Sequence, residues 1–135
     1  NGNTWPALLE RIQNRKTQLW GLAWGADYPD AENFLQLFYG PNAQPGGMNG
    51  SYYKNKAFDQ LFEKARIMND SPERTKLYKQ LAQILVEDCP VIWGVHRIAV
   101  SLAHPWLKNY KYQEFVINQA KYMKIDTELK KKYKQ

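Results

Sequence analysis

The chain has 135 residues and a mass of 15.9 kDa, room for one domain with its own core, since such a chain buries about two thirds of its unfolded surface. Hydrophobic residues make up 44% and charged residues 24%, which excludes collagen-like, disulfide-framework and wholly disordered chains. Net charge is +6, and no apolar run approaches the roughly 20 residues of a membrane-spanning helix.

Asn3-Thr4 ahead of Trp5-Pro6 is a helix-start signal with proline in the first turn. Leu8, Leu9 and Ile12 then recur at helical spacing, so a short amphipathic helix should run to about Asn14. The next stretch, Gln18-Leu19-Trp20-Gly21-Leu22-Ala23-Trp24, is apolar at nearly every position. Its length and continuity predict a strand buried on both faces, in a sheet layered by helices. Asp30 is placed to cap a helix whose buried side carries Phe34, Leu35, Leu37 and Phe38. From Gly40 to Lys56 the composition turns to Gly, Pro, Asn, Ser and Tyr, a long ordered loop of the kind that often serves as a lid or binding loop.

Phe58, Leu61, Phe62, Ala65 and Met68 mark a helix by their spacing. Ser71-Pro72-Glu73 opens another with a serine cap, proline at the first position and an acid in the first turn. Leu77, Leu81, Ile84 and Leu85 give it a core stripe, and Pro90 ends it. Val91 to Val95 and Ile98 to Leu102 read as two strands joined tightly at His96-Arg97. Phe115-Val116-Ile117 reads as a last strand or a packed extended arm. Helix and strand alternate without an internal repeat, so the predicted class is α/β or mixed α+β.

The single cysteine, Cys89, has no intramolecular disulfide partner, and with His96 and His104 it lacks any zinc-ligand spacing. No metal or cofactor is expected. The first residue is Asn1, without a charged-then-apolar leader, so the chain reads as a processed or excised piece. Residues 121–135 hold six lysines against Asp126 and Glu128, a net of +4. Such a tail suits nucleic acid or acidic lipid, but a solvated terminal helix explains it more simply. No nucleic-acid partner is expected, because Trp20, Phe34, Phe58 and Phe62 fall on predicted core faces rather than beside the basic residues.

The segment Trp24-Gly25-Ala26-Asp27-Tyr28-Pro29-Asp30 carries the chemistry. Ligands of open α/β sheets bind just beyond the carboxyl ends of strands, and Asp27 stands at such a place. A carboxylate between Trp24 and Tyr28 either pairs with a cationic ligand group or caps its own turn by an Asx bond.

This segment, continued by Glu32-Asn33-Phe34-Leu35, resembles the W-x-A-D-Y-x-D-x-x-N-F-L motif of family 5 extracellular solute-binding proteins, the oligopeptide-, dipeptide- and nickel-binding subunits of ABC importers. Asn55-Lys56-Ala57-Phe58-Asp59-Gln60-Leu61 resembles the family's N-x-x-F-D-x-L helix start. Ser71-Pro72-Glu73-Arg74 with Tyr78 resembles its D-x-x-x-R-x-x-x-Y helix, and Glu87-Asp88-Cys89-Pro90-Val91-Ile92 its entry into a late strand. The resemblance implies an α/β fold forming part of the C-terminal lobe of a two-lobed periplasmic-binding-protein (type II) fold. Residues 1–104 would be the lobe segment and 105–135 a C-terminal arm with a basic tail. It further implies a non-enzymatic peptide-transport role, the ligand lying in the cleft between lobes and the importer's membrane subunits serving as partners. A periplasmic or cell-surface lipoprotein location follows from the same likeness.

In the peptide-binding members the aspartate matching Asp27 receives the ligand's α-amino group, and the tryptophan matching Trp24 lines the same pocket. Tyr28 and Asn33 also match the motif, as ligand-binding candidates or as residues of the turn and helix. The chain departs from the family at Trp93, read as core filling, and in its lysine-rich end. Two other readings stand beside this one: a structural fragment without binding activity, and an acid/base hydrolase using Asp27, Asp30 and Glu32. Apolar surface left uncovered by missing neighbours predicts self-association, with peptide or another small solute as the ligand of the longer protein.

Overall fold

A computed structural model describes residues 2–112, 115 and 118–133. The chain divides after Trp93 into two compact units. The first holds four α-helices: α1 (Trp5–Gln13), α2 (Glu32–Leu35), α3 (Lys56–Arg66) and α4 (Pro72–Asp88). Short 3₁₀ turns at Gln36–Phe38 and Gly40–Asn42 link α2 to the long loop.

α3 and α4 form where the local signals put them. The side chain of Asn55 accepts from the N–H groups of Ala57 (2.9 Å) and Phe58 (3.1 Å), pairing two donors that the first helical turn leaves open. Ser71 Oγ likewise accepts from Arg74 N at 3.1 Å, with Pro72 at the start of the helix. α4 ends at Cys89, whose φ of 46° is left-handed, with its N–H donating to Leu85 O at 3.0 Å. Glycine is the usual residue at such a stop because it has no Cβ to clash.

Phe58, Phe62, Ala65, Leu81 and Leu85 are buried between α3 and α4, and Leu35 brings α2 onto the same cluster. The Phe58 and Phe62 rings stack 6.1 Å apart. Burying a side chain of this size contributes about 1.5–3 kcal/mol, so this helix pair is the stable centre of the unit. The loop is pinned to it by polar side chains. Buried Asn49 donates to the carbonyls of Tyr39 (3.1 Å) and Tyr53 (2.9 Å). Gly40 N donates to Asp59 Oδ1 at 2.7 Å, so close that a Cβ on Gly40 would lie 2.4 Å from Asp59 Oδ2. Asp88, at the last residue of α4, accepts from Tyr53 Oη (2.5 Å) and Asn55 Nδ2 (2.7 Å).

The second unit, from Gly94, carries a two-stranded antiparallel ribbon of β1 (Leu107–Lys108) and β2 (Lys124–Ile125), registered Leu107 to Ile125 and Lys108 to Lys124. α5 (Thr127–Lys132) follows, capped by Asp126 Oδ1, which accepts from Leu129 N at 2.9 Å. His104 stacks on Trp106 at 4.1 Å, and Tyr133 closes on the same indole. Acidic and basic residues are equal in number through residue 93, so the entire +6 belongs to this unit.

Several expectations are corrected. Residues 18–24 form no strand, and Leu19 is 82% exposed. Residues 91–95 and 98–102 form none either, and Ile92, Val95, Ile98, Val100 and Leu102 are exposed. The described residues therefore show helices and one short ribbon rather than a layered α/β sheet. The reason is that a strand is stabilised by the backbone that lies alongside it, and no described segment pairs with these. Phe34 and Trp93, read as core, are 43% and 50% exposed, although the Trp93 ring reaches Phe38 at 5.7 Å. The α2 helix is one turn long and tightens into 3₁₀ geometry, which turns Leu35 inward and Phe34 outward. Of the suggested strand at 115–117, Val116 and Ile117 lie outside the described residues.

Candidate functional site

The loop from Trp24 to Ala31 has no regular structure, and its shape comes from side chains at the start of α2. Asp30 Oδ1 accepts from Glu32 N at 2.9 Å, and Asp30 O accepts from Asn33 N at 3.1 Å. Asp30 thus closes the turn that leads into α2, one residue ahead of the helix's N-cap, Ala31, rather than at the cap itself. Asn33 is 1% exposed and gathers the site around one amide. Its Oδ1 accepts from Trp24 Nε1 (2.8 Å) and from Asp27 N (3.1 Å), and its Nδ2 donates to Asp27 Oδ2 (3.3 Å). Tyr28 Oη donates to Glu32 Oε2.

Of the four residues singled out by sequence, Trp24, Asp27 and Asn33 are therefore joined by hydrogen bonds, while Tyr28 bonds to Glu32. Asp27 is exposed, and its carboxylate is oriented by the Asn33 amide rather than by an Asx bond in its own turn. Among the described residues its other oxygen accepts no hydrogen bond, and so remains open to an incoming donor. Trp24 and Tyr28, which flank it in sequence, are 37% and 41% exposed. Asn33 faces inward, where it sets the geometry of its neighbours.

Behind the loop lies a group whose part the sequence did not disclose. Arg74 Nη1 pairs with Asp30 Oδ2 at 2.6 Å, and Arg74 Nε donates to Ala65 O at 3.0 Å. The guanidinium also lies 4.7 Å over the Tyr78 ring. Burial opposes the charge on Asp30, but the Glu32 N–H and the Arg74 guanidinium overcome it and hold the carboxyl below its ordinary range. Burial, reinforced by the Asp30 charge, pushes the Tyr78 hydroxyl up to about 12. The only available signal for this cluster was the Arg74 and Tyr78 spacing within the α4 motif.

Of the carboxylates in the hydrolase reading, Asp30 is paired with Arg74 and Glu32 with Tyr28. No group of three or more metal-ligating residues occurs among the described residues, and no helix among them is long and apolar enough to cross a membrane. A groove beside α1, lined by Leu8, Arg11, Lys16, Leu19 and Trp20 among others, includes none of the four site residues.

The chain is 34% identical to di/tripeptide-binding protein 4 of Pseudomonas aeruginosa, an alignment covering 84% of this chain and 20% of that protein. It is 26% identical to the dipeptide-binding protein of Escherichia coli, over 78% of this chain and 20% of that one. It is 28% identical to heme-binding protein A of Haemophilus influenzae, over 82% of this chain and 20% of that one. The chain spans about a fifth of the length of these curated relatives. No family model matches it, and no solved structure does. The resemblance to family 5 solute-binding proteins, first carried by four motifs, holds over most of the chain.

Proposed function

We propose that this chain, a relative of the family 5 solute-binding proteins, is a section of the C-terminal lobe of a peptide-binding subunit of an ABC importer. In this reading the Asp27 carboxylate receives the α-amino group of a short peptide at the wall of an inter-lobe cleft. The observation that carries it is the state of Asp27: an exposed carboxylate with one oxygen oriented by Asn33 and the other open, in a segment that also carries the partly exposed Trp24 and Tyr28. A peptide ammonium offers three donors on a compact charge, and a charge-assisted bond to an oriented carboxylate is the strong way to hold it. Trp24 and Tyr28 would supply apolar walls for the first residue. The chain supplies binding and no catalysis; the names of the relatives, all binding proteins, support this. A periplasmic or cell-surface location and contact with importer membrane subunits follow from the same reading.

The test uses the longer protein that carries this sequence. Calorimetric titration with dialanine and trialanine, free and N-acetylated, compares it with its Asp27→Asn variant. Loss of one partner of a desolvated charge pair costs about 2–5 kcal/mol, so free peptides should bind the variant at least tens of times more weakly. Acetylated peptides should bind both forms poorly and alike. Equal affinity for free and acetylated peptides would sink the role given to Asp27.

A further inference from the structure

The loop bearing Asp27 is irregular and exposed, yet a recognition carboxylate must be held within a fraction of an ångström to be effective. Asn33 orients it, but Asn33 itself stands on a helix of one turn, too short to be stable alone. Leu35 packs the far end of α2 onto the α3–α4 centre, while among the described residues one ion pair, spanning 44 residues of sequence from Asp30 to Arg74, ties the start of α2 to it. We propose that Arg74 is a positioning residue for the Asp27 carboxylate, acting through Asp30 and the first turn of α2. The inference rests on the reading of Asp27 given above.

Arg74 is suited to the part because it is itself fixed at three points. Its Nε is held by the Ala65 carbonyl at the end of α3, its plane lies on the Tyr78 ring, and its backbone N–H is capped by Ser71 Oγ. The guanidinium makes the Ala65, Tyr78 and Asp30 contacts at once because its donors form a rigid fork. The side chains of Arg74 and Asp30 are 11% and 26% exposed, so water screens the pair less than it would at the surface. Asp30 then passes the constraint on. Its Oδ1 fixes Glu32 N and its carbonyl fixes Asn33 N, which sets where the Asn33 amide sits and so where Asp27 points. Arg74 needs no contact with ligand to set the binding geometry.

The test reads the loop without ligand. In the ¹⁵N-labelled 135-residue chain, solvent exchange is followed at the two protons that Asn33 Oδ1 accepts, the Trp24 indole N–H and the Asp27 backbone N–H. Backbone amides of Phe62 and Leu81 report the helix pair. Arg74→Met and Asp30→Asn should each speed exchange of the two loop protons roughly tenfold or more, with Phe62 and Leu81 unchanged. Arg74→Lys, which keeps the charge but not the fork, should recover only part of the protection. Native exchange at Trp24 and Asp27 in Arg74→Met would overturn the proposal. If Arg74→Met also loosens Phe62 and Leu81, Asp30→Asn decides, because it leaves the bond from Arg74 to Ala65 in place; native loop exchange there overturns the proposal equally. Peptide titration of the longer protein is a separate matter. Failure of the native protein to bind peptide would remove the role of Asp27 and leave the exchange result standing as a statement about the loop alone.

Discussion

Replacing Asn33 tests the centre of the site directly. Its side chain makes three hydrogen bonds while 1% exposed, each worth a net of about 0.5–1.5 kcal/mol. In Asn33→Ala the donors of Trp24 and Asp27 lose their acceptor, but both residues lie partly in water, which recovers some of the loss. The expected cost is therefore about 2 kcal/mol, or a fall of about 8–16 °C in Tm for a unit of this size. Asn33→Asp sharpens the test. It keeps an acceptor for both N–H groups, can donate to Asp27 Oδ2 only while protonated, and places a buried carboxyl beside an existing carboxylate. Burial and like charge both raise the pKa of the introduced group in the folded state above its unfolded value of about 3.9. A group that holds its proton folded and releases it unfolded loses stability as pH rises between those two values. The deficit of Asn33→Asp relative to the native chain should therefore be larger at pH 7.5 than at pH 5. Urea unfolding followed by tryptophan fluorescence measures both. Equal deficits at the two pH values, or a loss below about 0.5 kcal/mol in Asn33→Ala, would refute the role of Asn33 as the hub.

Two further outcomes follow from the same structure. Cys89 holds a left-handed φ of 46°, so Cys89→Gly should stabilise the chain by about 1 kcal/mol; an unchanged or lower urea midpoint would show that α4 stops without strain. The Asp30 carboxyl titrates below its ordinary value of 3.8, so its stabilisation is fully present above that value and is lost as pH falls toward the lowered one. Urea midpoints between pH 5 and 2 should therefore decline more steeply for the native chain than for Arg74→Met, and parallel curves would contradict the pairing.

What could be read in advance divides along a physical line. Ser71 and Pro72 announced α4 correctly because a cap acts within three or four residues of itself. The apolar stripe of Phe58, Phe62 and Ala65 was legible for a similar reason, since one helix face is set by local spacing. Residues 18–24 and 91–102 misled because apolar content records that a segment suits a sheet, while pairing depends on backbone elsewhere. Trp24, Asp27, Tyr28 and Asn33 were found through the motif, and the structure joins all but Tyr28 by hydrogen bonds. The motif did not disclose that Asn33 faces inward, nor that Arg74 reaches Asp30, since both depend on how α2 packs against α4.

The close approach of Gly40 to Asp59 has a consequence for how this sequence could drift. A methyl group at position 40 collides with the Asp59 carboxylate while that carboxylate is present. Once Asp59 has shortened, that collision is gone, and so is the acceptor of the Gly40 N–H. The two positions are therefore coupled: Gly40→Ala pushes the Asp59 carboxylate away from the Gly40 N–H that it accepts, so its cost depends on which residue stands at 59.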